Sequence, residues 1–196
     1  MTLLAAVVLA YLVGAIPVGY LVGRAFGVED IRRHGSGNIG ATNVLRTAGR
    51  LPALLTLVGD VVKGGAAVAL AAAVAGRDGA AAGAVAAVVG NCWSVFLRFR
   101  GGKGGATGLG AFLVLVPWAA LPALLVFVVV TATFRYVSLA TIMASACVPL
   151  GALLLGYPHA SVLACVAAAA VVIGRHHENI ARLTAGTERR LGNSAG

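Results

Sequence analysis

The sequence predicts an all-α, polytopic transmembrane bundle of about seven helices, and three observations predict it. Of the 196 residues, 60% are hydrophobic and only 11% charged, where a soluble domain carries about 45–50% apolar and about 25% charged residues. The apolar residues lie in long runs, and about 20 such residues suffice to cross the hydrocarbon core. Short polar stretches separate the runs, and two of those stretches are rich in glycine and basic residues.

The first run, Leu3–Val22, has no basic segment before it and exceeds the core of a signal peptide, so it reads as a retained helix. A polar segment, Glu29–Arg50, precedes the second run, Pro52–Ala75. A turn at Gly76–Gly79 leads into Ala80–Leu97, followed by a basic glycine-rich loop, Arg98–Gly108. Then come Leu109–Phe134, Val137–Leu155, a turn at Gly156–His159, Ala160–Ile173 and the polar tail Gly174–Gly196. The length suits one domain over 1–196.

Charge sets the expected orientation. With the 29–50 and 98–108 loops and the tail on the cytoplasmic side, Arg77 alone of the 15 Lys and Arg residues falls outside. The amino terminus is then outside and the tail cytoplasmic. Both Gly108 and Arg135 must be cytoplasmic, so the segment between them crosses twice or dips in and returns. Pro117 and Pro122 interrupt it, which predicts a short helical hairpin. Cys92, Cys147 and Cys165 lie in or beside apolar runs without metal-ligand spacing and read as small core residues. Asp60 and Lys63, three residues apart within an apolar run, read as a structural ion pair.

The net charge of +9 suits basic loops facing anionic lipid, and an anionic substrate. Sparse aromatic residues and the lack of any recognition motif argue against nucleic acid. Gly35, Gly37 and Gly40 spell G-x-G-x-x-G, but no strand precedes them, which excludes a dinucleotide fold. What remains is a flexible backbone that presents N–H groups to an anion, with Ser36, Asn38, Thr42 and Asn43 as neutral donors and Arg46 as a phosphate fork. In the second loop Lys103 is followed by Gly104 instead of Ser or Thr, so the Walker pattern fails. Gly102 and Gly104 still leave an unhindered backbone around a movable ammonium. In the third segment, a continuing helix places His176 and Asn179 on one face and turns His177 away. Ser138 opens a helix on the same side, as an N-cap or a ligand donor. The six carboxylates are scattered, which disfavours metal-dependent phosphotransfer. No metal or cofactor is expected. A transporter of organic phosphate is the main rival, against which the polar groups cluster at one membrane face.

Together the three segments carry a resemblance. Gly35-Ser36-Gly37-Asn38-Ile39-Gly40-Ala41-Thr42-Asn43-Val44-x-Arg46, Gly101-Gly102-Lys103-Gly104-x-Ala106-Thr107 and Arg175-His176-x-x-Asn179-Ile180-x-Arg182-Leu183-x-x-Gly186-Thr187-Glu188 resemble the motifs of the bacterial acyl-phosphate-dependent glycerol-3-phosphate acyltransferases. The resemblance covers essentially the whole chain. Asn91, Ser94 and Arg100 depart from the histidine, proline and lysine usual in that family.

The resemblance implies a phospholipid-synthesis enzyme of the bacterial inner membrane. It would move a fatty acyl group from acyl phosphate to glycerol 3-phosphate, giving lysophosphatidic acid and phosphate, and act as a monomer among membrane lipid. Lys103, Arg46, His176, Asn179 and Ser138 then hold glycerol 3-phosphate, while Ser36, Thr42, Asn38 and the amides around Gly37 and Gly40 cradle acyl phosphate. The base is either His176 or the departing phosphate itself. Ser36 as a covalent nucleophile is the third option, with no evident base beside it.

Overall fold

The computed structural model describes residues 1–192. The last four residues of the polar tail lie outside the described residues. Among those described there are nine α-helices and no strand. They are α1 (Thr2–Ala15), α2 (Val18–Ala25), α3 (Ala41–Ala48), α4 (Arg50–Cys92), α5 (Gly105–Leu115), α6 (Pro117–Phe134), α7 (Val137–Leu154), α8 (His159–Arg175) and α9 (His177–Thr184). Four stretches are long and apolar enough to span a membrane, and α8 with α9 makes a bent fifth. One of the four, Arg50–Leu97, contains both arms of α4. The segments α1–α2, the two arms of α4, α5, α6, α7 and α8–α9 number seven.

The first apolar run is not one helix. It breaks at Ile16–Pro17, because Pro17 has no N–H to continue the ladder. Two carbonyls freed there find partners from distant segments: Ala15 O accepts from Ser94 Oγ at 2.6 Å, and Ile16 O from Lys63 Nζ at 2.7 Å. A carbonyl left unpaired inside a bilayer is costly, so these bonds hold the break in place.

α4 reverses at Ala75 and Gly76, where Gly76 has φ +62°. Its arms then pack antiparallel through small residues. A side chain at Gly79 or Gly83 would press into Ala71 on the other arm, the close approach that small residues permit in membranes. The second arm also packs along α1, with Gly14 on Ala87 and Gly90 on Tyr11. It ends at Cys92, five residues short of the apolar run, and a 3₁₀ turn Val95–Leu97 follows. The buried Asp60–Lys63 pair lies on the first arm at 2.7 Å.

The segment between Gly108 and Arg135 is a hairpin, as its prolines suggest. Pro117 occupies the first turn of α6, where its missing N–H is harmless. Pro122 lies within α6, which continues through it to Phe134. The arms are unequal. α5 has 11 residues and α6 has 18, or about 16 and about 27 Å at 1.5 Å per residue. α5 lies on the first arm of α4, with Gly110 over Val61 and Gly64 under Thr107. A core of Val88, Phe112, Val116, Val148, Cys165 and Val172 joins α4 through α8.

Antiparallel packing of these hairpins sorts the connections. The turns at 75–76, 116 and 155–158 fall at one end of the bundle. The segments 26–40, 93–104, 135–138 and 176–191 fall at the other, where all three polar motifs meet.

Candidate active site

The first loop is organised from within by Asn43, which is 2% exposed. Its Oδ1 accepts from Ser36 N at 2.8 Å, while Nδ2 donates to the carbonyls of Asn38 at 2.8 Å, His34 at 3.0 Å and Ile31 at 3.2 Å. Gly35 has φ +60°, and a side chain there would overlap Asn43 Oδ1. Asn38 Oδ1 accepts from Gly40 N at 2.8 Å, a local turn that spends this amide N–H inside the loop. Gly37 N–H likewise goes to His34 O at 3.0 Å. α3 then presents Thr42 and Arg46, four residues apart, to the cavity.

The second loop is hung on the end of α4. Gly101 N donates to Cys92 O at 3.2 Å and Gly102 N to Asn91 O at 2.8 Å. Arg98 and Phe99 are both left-handed, at φ +53° and +62°, a strain of about 1–3 kcal/mol each. Phe99 N is tied to Ser94 O at 2.8 Å. Gly104, at φ +81°, turns the chain into α5. Lys103 Nζ, immediately before it, donates to Asn179 Oδ1. Burial lowers the pKa of this ammonium, against a raising pull from Glu178 and Glu188.

In the third segment the helix does not continue. α8 stops at Arg175, and α9 starts after a 59° bend at His176. His176 and Asn179 still both line the cavity, and His177 is exposed with its ring on Gly174 O. His176 Nδ1 lies 2.7 Å from Val172 O. A carbonyl only accepts, so Nδ1 carries the proton, and the neutral ring keeps its lone pair on Nε2.

The group whose role the sequence reading passed over is Glu188. Its side chain is 8% exposed and gathers donors from three places: Asn179 Nδ2 at 2.7 Å, Ser138 Oγ at 2.8 Å and Arg182 Nε at 2.7 Å. Ser138 is therefore no N-cap. Tyr136 holds that position, and the serine hydroxyl is committed to Glu188. The tail is fastened further by Leu191 N to Arg135 O at 2.6 Å, and Arg135 Nε to Leu191 O at 2.9 Å.

One cavity of about 940 Å³ joins these parts. Of the residues singled out in the sequence, Ser36, Asn38, Gly40, Thr42, Arg46, Gly102, Lys103, Gly104, Ser138, His176 and Asn179 line it, and Gly37 does not. Asp60, Asn91 and Arg189 line it as well. Away from the polar end its walls are apolar, from Leu54, Leu57 and Val58 on α4, Leu124 and Phe127 on α6 and Val148 on α7. Among the described residues no three His, Cys, Asp or Glu side chains stand together as a metal site.

Residues 4–186 match the family model described as glycerol-3-phosphate acyltransferase. The chain is 50% identical over 191 residues to a glycerol-3-phosphate acyltransferase of Rubrobacter xylanophilus, covering 97% of this chain and 96% of the relative. It is 50% identical over 182 residues to one of Trichlorobacter lovleyi, covering 91% and 92%. The crystal structure of PlsY, an integral membrane glycerol 3-phosphate acyltransferase, superposes in its glycerol 3-phosphate form with a TM-score of 0.92 at 38% identity, covering 98% of this chain and 96% of that one. Its lysophosphatidic acid form gives 0.90 at 37% identity, with coverage of 98% and 96%. With its motifs, its multi-pass helical fold and these relatives in agreement, the chain belongs to the glycerol-3-phosphate acyltransferase family.

Proposed function

We propose that this protein transfers a fatty acyl group from acyl phosphate to glycerol 3-phosphate, releasing lysophosphatidic acid and inorganic phosphate. The observation that carries the reading is the two-sided cavity. Cations and neutral donors converge at one end, and the other runs between α4, α6 and α7 as an apolar slot. A substrate with a phosphate head and a fatty tail matches both halves, and a small phosphate ester fits beside the head.

Lys103, Arg46, His176 and Asn179 hold glycerol 3-phosphate in this reading, and Ser138, whose hydrogen goes to Glu188, is left to accept from a glycerol hydroxyl. Ser36, Thr42 and the first loop receive the acyl phosphate, whose chain fills the apolar slot. The glycerol hydroxyl oxygen attacks the acyl carbonyl carbon. A new ester C–O bond forms, the C–O bond to phosphate breaks, and the bonding pair leaves on phosphate. The hydroxyl proton ends on that phosphate, directly or by way of His176 Nε2. Alignment of two bound substrates supplies several kcal/mol of the barrier, and Lys103 offsets the growing negative charge. No covalent enzyme intermediate is required. The polar end faces the cytoplasm of the bacterial inner membrane, as the basic loops favour. The working unit in this reading is a monomer.

The test is phosphate release by purified protein in a lipidic host, with palmitoyl phosphate and glycerol 3-phosphate. Release that needs both substrates and collapses in Lys103→Ala supports the proposal. Turnover with palmitoyl-CoA alone would overturn the donor, and no turnover by folded protein would overturn the reaction.

A further inference from the structure

Asn91 stands where three features of the fold meet. It is 5% exposed and lies at the end of the second arm of α4. Its Oδ1 accepts from Lys63 Nζ at 2.9 Å. Lys63, itself buried, also donates to Ile16 O at 2.7 Å and stands 2.7 Å from Asp60 Oδ1. The ammonium therefore donates to two oxygens and stands in ionic contact with a third.

This fixes which way the Asn91 amide points. An ammonium only donates, so the oxygen of the amide must face Lys63, and the NH₂ group must face away from it. Away from it is the cavity, which Asn91 lines together with Asp60. The NH₂ group sits against Gly102. A Cβ on Gly102 would come within 2.9 Å of Nδ2 and 3.5 Å of Ile39 in the first loop. Glycine at position 102 leaves this amide uncovered on the side where the first and second loops meet. The two amide hydrogens have no acceptor among the described residues. The donor lies at the cavity wall, and a buried ion pair holds the amide in one orientation.

We infer that Asn91 is a substrate-binding residue that donates a hydrogen bond to an oxygen of the acyl donor's head, with Lys63 and Asp60 as positioning residues behind it. The inference rests on the assignment of acyl transfer made above. The side of the cavity decides the substrate, because the amide lies against Gly102 where the second loop packs on Ile39 of the first loop, and the first loop receives the acyl donor. The cluster of Lys103, Asn179 and Glu188 holds the other substrate.

The experiment is steady-state kinetics in a lipidic host, varying palmitoyl phosphate and glycerol 3-phosphate in turn, with a melting curve for each variant. Asn91→Asp keeps an oxygen for Lys63 but has no N–H. It lowers kcat/KM for the acyl donor roughly 10- to 100-fold, while the KM for glycerol 3-phosphate stays within about twofold of the parent. Asn91→His accepts from Lys63 at one ring nitrogen and donates from the other, and recovers donor kcat/KM to within about fivefold. Removing both charges together, in Asp60→Leu with Lys63→Met, frees the amide to turn and again lowers kcat/KM for the donor alone.

If Asn91→Asp does not fold, Asn91→Ala is read in the same way. Parent-like donor kcat/KM in the folded variant would overturn the inference. So would a loss falling equally on both substrates. A parent that turns over only palmitoyl-CoA removes the acyl-phosphate assignment instead, and Asn91 is then judged by the same variants on that donor.

Discussion

Ser138, at the start of α7, donates its hydroxyl hydrogen bond to Glu188, fifty residues later in the tail, at 2.8 Å. Glu188 also accepts from Asn179, whose oxygen takes the Lys103 ammonium. One carboxylate thus connects α7, α9 and the glycine loop. Glu188→Ala leaves those donors without an acceptor. It is expected to raise the KM for glycerol 3-phosphate and lower kcat/KM about 10- to 100-fold, read by steady-state kinetics.

The same residue makes the protein acid-sensitive. Burial pushes the Glu188 carboxyl up, but the hydrogen bonds from Asn179, Arg182 and Ser138 outweigh it and hold the pKa below the ordinary 4.5. A carboxyl with a depressed folded value contributes in full above 4.5, and the contribution is lost as pH falls through the folded value. The gap in melting temperature between the parent and Glu188→Gln should therefore be constant above pH 4.5 and close beneath it. Melting curves across that range check the sign.

Lys103 and Lys63 are the two lysines of the chain, and their surroundings differ. Burial lowers the Lys103 pKa, which raises the share of nucleophilic free amine at mildly alkaline pH. Lys63 is locked against three oxygens. An amine-reactive reagent should modify Lys103 first, and glycerol 3-phosphate should protect it. Peptide mapping by mass spectrometry reads both results.

Two glycines in apolar helices should respond oppositely to alanine. At Gly110 a methyl group would overlap the Val61 carbonyl, which is backbone and cannot turn aside. Gly110→Ala should cost about 1–3 kcal/mol or more by overpacking. At Gly174 there is open space, and Gly174→Ala should be neutral or stabilise by up to about 1 kcal/mol. Melting temperatures in detergent decide both.

The orientation is open to a direct test. Arg77→Cys should react with a membrane-impermeant maleimide added to intact cells, and Arg190→Cys only after the cells are opened. Cys92 and Cys165 are buried and Cys147, partly exposed, lies within the apolar α7, so a Cys147→Ala background removes the remaining reactive thiol. The reverse pattern would invert the proposed topology.

The helices were legible because the bilayer imposes one rule on every span: an apolar run of sufficient length. Pro117 and Pro122 together pointed to a hairpin, whose turn falls before Pro117 while α6 runs on through Pro122. Pro17 misled for the same reason, since a proline inside an apolar run changes nothing in composition. Its break depends on Ser94 and Lys63, which lie far along the chain. Lys103, Asn179 and His176 stood out by residue type and glycine context. Glu188 did not, because a glutamate in a polar tail is usually solvated, and its three bonds depend on how the tail folds back. Asn91 was obscured differently. It stands as a departure from the usual histidine, and only the Lys63 contact shows where its amide points.

The fastening of Glu188 has a consequence for truncation. Glu188 follows every helix in chain order, so a product ending at α9 keeps every apolar span yet leaves Ser138, Asn179 and Arg182 with no carboxylate to meet. Membrane integration of such a product would therefore be no measure of an assembled polar end.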